Sequence, residues 1–358
     1  MRKDVTYIIA LFCVTAITFL SSCGVEAKSE TQNSYVKYKH VDVDTFHFQA
    51  QQLPIDIIDA HCILAVDTFL ILNQLRGEKI MQIYSLNTCD SLVGICRKGQ
   101  GPDEFIRYYP PIQPVFENGI AKVWVKSIPD MLGLVNINES IHQNRIAFEE
   151  KFTFTAPVRL NIFGQSDANF IYEDSVIWMR MSPTLSMEMY ANPNASYSKY
   201  NLRNNTIEKS IKINDIPNDQ KLSHMGRQRI TYHPTQQKLA TFYTLMGCFN
   251  IIDLEKGTVL KIETVEDGVN PDQEYSSVRE FHYDLSATDS LIWVIYEKKD
   301  GTTAMRIYDW NGNLKGIATF DKVLNYIHIN LQDNMLYAIG LEDEIYKFDI
   351  RSTLSKLS

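Results

Sequence analysis

The 358-residue chain carries 35 Lys and Arg against 43 Asp and Glu, a formal net charge of −8, and 45% of its residues are hydrophobic. A mildly acidic balance of this kind excludes a basic face for nucleic acid and favours solubility over any particular partner.

In chain order, Arg2 and Lys3 precede an apolar run from Val5 to Phe19, which leads to Leu20-Ser21-Ser22-Cys23. The apolar run is about fifteen residues, short of the ~20 that a spanning helix needs. A basic start, a short apolar core and small residues at its end are the marks of a secretory signal segment. Leu20-Ser21-Ser22-Cys23 resembles the lipobox of bacterial lipoproteins, in which the Cys receives diacylglycerol; Asp4 departs from the usual positive start. The resemblance implies a signal peptide over 1–22 and lipidation of Cys23. Residues 24–39 are polar and poor in large aliphatics, so 23–39 is expected to be the lipidated Cys with a flexible tether. The folded domain is then 40–358.

Cys62, Cys89, Cys96 and Cys248 follow the anchor. Cys89 is predicted in a turn and Cys96 at the end of the next strand, ~23 Å away at strand rise and beyond bridging distance. No CxxC pair occurs, so neither a disulfide framework nor a zinc site is expected.

Six stretches share one design of alternating strand, polar turn and second strand, with corners at Ser85, Asn136, Asn201, Asp253, Asp309 and Asp349. The corners lie 51, 65, 52, 56 and 40 residues apart. Each stretch follows a further strand, as in 67–72, 118–125, 174–181, 237–244, 289–296 and 334–341. Several of these follow yet another, such as IIDAHCILA, RITYHP, EFHYDLS and NYIHINL. Val, Ile and aromatics dominate, as half-buried pleated surfaces require. No helical period of useful length is found beyond the signal segment. A repeat near fifty residues with four strands per unit predicts an all-β, six-bladed β-propeller of four-stranded antiparallel blades.

Within each unit the A–B and C–D turns are short, with Asn311-Gly312 a strong tight-turn signal. The B–C and D–A connections are long and emerge together at one end of a propeller, which marks that end as the elaborated one. For closure, the alternating stretch 41–48 is expected to add a strand to the last blade, whose own final strand runs almost to Ser358. Deletion of 24–38 should then be harmless and extension of the deletion to 48 destructive.

After the first hairpin comes Arg97-Lys98-Gly99-Gln100-Gly101-Pro102-Asp103-Glu104-Phe105. Two glycines free the backbone and Pro102 fixes its exit, as a crossover between blades requires. Glu104 is placed to accept from loop amides and Phe105 to plug the space between blades. Gly-rich backbone also binds anions, so a ligand-cradling role stands beside the crossover reading. The run resembles the GxGPxEF stretch of TolB-like six-bladed propeller lipoproteins of Gram-negative bacteria. That resemblance spans the chain and implies an exported, lipid-anchored propeller with no particular reaction; the chain lacks room for TolB's additional α/β domain.

No GxSxG elbow, HExxH helix or P-loop is present, and the histidines have no metal-ligand spacing. Catalytic residues, a metal and a cofactor are therefore not expected. The predicted ligand or partner site is a set of loop residues on the elaborated end: Arg97, Lys98, Glu104, Tyr108, Tyr109, His224, Arg227 and Arg229, with Arg107 beside them. Arg and Tyr together suit planar, anionic or sugar-like groups, although the same residues also serve as solvated or bracing loop side chains. The expected protein is a monomeric outer-membrane lipoprotein on the periplasmic or cell-surface side, held at the membrane by Cys23. Its propeller binds or scaffolds an envelope protein or glycan, with no role for nucleic acid. The alternative is a propeller hydrolase or lactonase with a metal at the channel mouth.

Overall fold

The computed structural model describes residues 33–38, 42–99, 101, 104–105, 107–128, 131–153, 169–172, 176–181, 196–212, 228–244, 248–264, 282–298 and 300–357. Three strands come first, β1 (Asn33–Tyr38), β2 (Asp44–Phe48) and β3 (Gln51–Gln52). Blade one holds β4 (Ala60–Val66), β5 (Phe69–Gln74), β6 (Lys79–Ser85) and β7 (Ser91–Lys98), with β8 (Glu104–Phe105) beside β7. Blade two holds β9 (Arg107–Glu117), β10 (Ile120–Ile128) and β11 (Met131–Asn136), then helix α1 (Ile137–Gln143) and β12 (Phe148–Thr153). Blade three runs β13 (Asn169–Tyr172), β14 (Val176–Met181), β15 (Ser196–Asn201), β16 (Thr206–Lys212). Blade four runs β17 (Gln228–Tyr232), β18 (Lys238–Tyr243), β19 (Cys248–Asp253), β20 (Thr258–Thr264). Blade five runs β21 (His282–Ala287), β22 (Leu291–Glu297), β23 (Thr303–Asp309), β24 (Leu314–Phe320). Blade six holds β25 (Leu324–Asn330), β26 (Met335–Gly340) and β27 (Ile345–Asp349), followed by helix α2 (Arg351–Leu357). The blades form a ring, so the six-bladed propeller expected from the repeats is the fold.

Alternation along each strand sends successive side chains to opposite neighbours. Leu70 and Leu72 of β5 pack with Tyr337 and Ile339 of blade six, whereas Ile71 between them packs with Val123 and Val125 of blade two. The apolar core is thereby divided among six seams, one between each pair of adjacent blades. Each fully buried aliphatic or aromatic side chain contributes roughly 1.5–3 kcal/mol through removal from water. Trp178, Trp293, Tyr243 and Phe242 are among the largest such side chains.

Closure differs from the sequence expectation. β2 does not join the last blade; it pairs in parallel with β24 on the outer edge of blade five, Asp44 opposite Gly316 and Phe48 opposite Phe320. The outer strand of blade six is instead β3, Gln51 opposite Lys347 and Gln52 opposite Tyr346 in antiparallel register. Leu53 N donates to Ile345 O at 2.8 Å and extends the same ladder. The chain after Asp349 supplies no strand, because Arg351–Leu357 is helical. Residues 33–38, assigned above to the tether, form β1, which pairs in parallel with β20 on the outer edge of blade four.

Two further differences concern local structure. The second hairpin contains α1, with Asn136 Oδ1 accepting from Glu139 N at 2.9 Å and Asn144 in the left-handed region (φ 51°) at its end. The residue read as a hairpin corner is thus a helix cap, and the short-turn end of the ring carries a helix at blade two. Conversely, the B–C connection of blade two, expected to be long, leaves only residues 129–130 between β10 and β11. Asn311-Gly312 does mark a hairpin, but only Gly312 has positive φ (83°), so the I′ turn is not formed. The Asp309 carboxylate shapes it by accepting from Asn311 N and Asn313 N at 2.9 and 2.8 Å. No disulfide joins Cys62, Cys89 and Cys96.

Candidate functional site

The inner strand of a blade has no ladder partner on its channel side, so its outward N–H groups need other acceptors. At the junction of blades five and six these come from β21: Asp284 Oδ2 accepts from Ile327 N at 2.8 Å, and Ser286 Oγ from Ile329 N at 3.1 Å. One blade further on, β25 does the same for blade one. His328 Nδ1 accepts from Ala65 N at 3.1 Å, while Asn330 Nδ2 donates to Asp67 O at 3.1 Å. The turn between β26 and β27 completes the closure. Asp343 Oδ2 and Oδ1 accept from Asp59 N (2.6 Å) and Ala60 N (3.0 Å). The inner edges are therefore satisfied by the neighbouring blade at both described junctions around blade six.

Because its Nδ1 accepts, neutral His328 carries its proton on Nε2. Burial pushes His328 down from 6.5 to about 4, and burial is likewise the main cause lowering His61 and His233. A histidine held neutral by the fold binds its proton more tightly when unfolded, so acid favours unfolding. No stability is lost above pH 6.5; the loss develops as pH falls from 6.5 toward 4 and amounts to about 2 kcal/mol by about pH 5 for His328. Urea unfolding at neutral pH and at about pH 5 should show this slope reduced in His328→Asn. An undiminished slope in the variant would remove His328 from the acid sensitivity.

The crossover from blade one to blade two is closed upon itself. β7 and β8 pair in parallel, Arg97 opposite Glu104 and Lys98 opposite Phe105. Glu104 Oε2 accepts from Gly101 N at 3.0 Å, Glu104 N donates to Gly101 O at 3.1 Å, and Gly99 N donates to Phe105 O at 3.2 Å. Gly99 has φ 157°, and a Cβ there would lie 1.9 Å from Glu104 Oε2, so glycine is required for the carboxylate to turn back. Phe105 is buried in the seam between blades one and two, its ring 6.4 Å from that of Phe148. The carboxylate and the phenyl ring thus have the structural roles that a crossover requires.

The other sequence-predicted site residues are distributed around the same end. Arg97 and Lys98 end β7 as exposed side chains; Arg97 Nε lies 3.8 Å from Glu78 Oε1, and Lys98 Nζ donates to Leu75 O at 2.8 Å. Arg107, Tyr108 and Tyr109, read from sequence as loop residues, open the inner strand β9 opposite Ile128, Ser127 and Lys126. Their side chains lie outside the described residues, as do His224 and Arg227 entirely. Arg229 is also a strand residue, half-buried in β17 opposite Phe242. Blade three separates its inner strand from β9: Arg97, Lys98 and Glu104 share one crossover, and Arg229 stands two blades away.

Sequence reasoning did not find the inter-blade acceptors. Their signal is a polar residue at alternate positions of an otherwise apolar inner strand, Asp284 and Ser286 in HYDLSA, His328 and Asn330 in LNYIHIN. Among the described residues no group of three His, Cys, Asp or Glu side chains is arranged to hold a metal ion. No described helix is long and apolar enough to cross a membrane. A scan against protein-family models matches nothing, and a search of curated proteins likewise returns no match.

Proposed function

We propose that this chain is a lipid-anchored envelope protein, of the TolB-like propeller lipoprotein kind, whose ring acts as a ligand- or protein-binding or scaffolding module. One observation carries the reading. Inner-edge N–H groups at the junctions around blade six and in the first crossover are satisfied by side chains of the fold, while Arg97 and Lys98 stand exposed at a strand end beside that crossover. A rigid frame with cations on its rim suits recognition more than turnover. Leu20-Ser21-Ser22-Cys23 supports attachment to the outer membrane through Cys23, with the ring on the periplasmic or cell-surface side.

Two measurements test this. Cys23→Ala should release a folded domain into the soluble fraction; full retention in membranes at high salt would show that another segment holds the protein there. Photo-cross-linkers at Tyr109 or Arg227 should capture an envelope protein or glycan more efficiently than those at Asp90 or Asn311, which lie at the opposite, short-turn end. Equal or reversed labelling would remove the binding role of the long-loop end.

A further inference from the structure

The chain enters the ring at a defined place and in a defined direction. β20 is the outer strand of blade four and follows the short turn 254–257, so Thr258 lies at the short-turn end of the ring and Thr264 toward the long-loop end. β1 pairs with β20 in parallel, Asn33 opposite Val259 and Tyr38 opposite Thr264. Asn33, the first residue of that ladder, is thereby fixed at the short-turn end. β2 repeats the direction on blade five, with Asp44 opposite Gly316 just past the turn 310–313.

Chain length connects this direction to the membrane. Cys23 stands ten residues before Asn33. Ten Cα steps reach at most about 36 Å, and a coil of that length spans about 16–19 Å on average. The seven residues of β20 alone rise about 23 Å toward the long-loop end, before the long connections are counted. A bilayer against the short-turn end is therefore within ordinary reach of an anchor on Cys23. A bilayer against the long-loop end would require a nearly extended chain along the whole side of blade four, at a cost in conformational entropy. Without β1 the comparison changes. The first fixed residue would be Asp44, twenty-one residues past Cys23, and a coil of that length spans about 23–27 Å, as much as the blade itself rises. Only with β1 paired does the distance to the anchor select one end.

We infer that β1 orients the lipid-anchored ring, holding its short-turn end toward the bilayer and its long-loop end, with Arg97 and Lys98, away from it. The lipid surface is then the neighbour of the short-turn end, and the long-loop end is the face presented to other envelope components. The inference rests on the anchoring reading given above and adds to it which face is presented.

The test places the lipidated chain in phosphatidylcholine vesicles that carry a rhodamine-labelled lipid as energy acceptor. A donor dye is attached through an azidophenylalanine at Asn311, exposed in a short turn, or at Leu75, exposed at the long-loop end. With the two ends at least about 23 Å apart, transfer from Leu75 should be about half that from Asn311 or less. Replacing residues 33–38 with a Gly-Ser run of equal length removes the strand-forming side chains and keeps the chain length, so transfer from Leu75 should then rise to match that from Asn311. Thermal unfolding of this variant should remain cooperative, which separates lost orientation from lost fold. Equal transfer from both sites in the anchored chain, or more from Leu75, would overturn the orientation. An asymmetry unchanged by the Gly-Ser run would overturn the part played by β1. Release of Cys23→Ala from the vesicles, together with symmetric transfer in the anchored chain, rejects this inference alone; retention of Cys23→Ala there rejects the anchoring reading as well.

Discussion

Deletion of residues 24–53 is expected to abolish cooperative unfolding, whereas a deletion that stops at 42 leaves it in place. The longer deletion removes β2 and β3 together. Phe48 on β2 is buried in the seam between blades five and six, its ring 5.6 Å from Phe320, which in turn lies 5.1 Å from Phe348. β3 and Leu53 are the fourth strand of blade six, and Leu53 is buried in the seam between blades six and one. Removing both opens two adjacent seams and exposes the edge of β27. The shorter deletion takes away β1 on the rim of blade four but no residue of the described seams. The point variant Phe48→Ala isolates the packing contribution and should cost about 3–5 kcal/mol in urea unfolding, the range for a phenyl ring lost from a core. Indistinguishable transitions for the two deletions would mean that the ring closes without these strands.

Asp343→Gly should cost about 2–4 kcal/mol, because two N–H groups at the start of blade one lose their charged acceptor. Ala60 is buried, so water is poorly placed to substitute. Glycine is the informative replacement. Asp343 has φ 66°, where alanine would add backbone strain, and glycine removes the carboxylate while relaxing the backbone. Asp343→Asn keeps one side-chain oxygen and should fall between the two. The measurement is the urea midpoint with its slope unchanged. A cost under about 0.5 kcal/mol for Asp343→Gly would show that water takes over the two amides and that the carboxylate does not lock the ring.

The 24–53 deletion and Asp343→Gly probe the closure of blade six from its outer and inner sides. The outer side is closed by strand addition and buried rings. The inner side is closed by side-chain acceptors passed from blade to blade. A module fixed at both edges presents its long-loop end on a rigid base, which the docking of a partner requires.

Much of this was legible locally. Alternating apolar strands and Asn, Asp and Gly corners repeat at near-regular intervals, so the strands, their grouping and the six-bladed ring follow from periodicity alone. The crossover was legible too, since Gly99, Glu104 and Phe105 act on one another within seven residues. α1 was not, because a seven-residue helix barely completes one repeat of the apolar pattern, and its Asn136 cap is also an ordinary turn residue. Arg107, Tyr108 and Tyr109 read as loop because RYYPP offers no alternation and contains two prolines, yet it lies on an inner strand paired on one edge only.

The amino-acid sequence by itself thus determined which segments are strands and that six similar units follow one another, since each unit's pattern is written in neighbouring residues. Only the tertiary structure decided how the ring is locked and which outer edge each N-terminal strand takes. Alternation predicts a strand within residues 41–48, but it names no partner, and several blade edges accept the same backbone. The decisive contacts join residues 263 to 284 positions apart, Ala65 with His328 and Asp59 with Asp343.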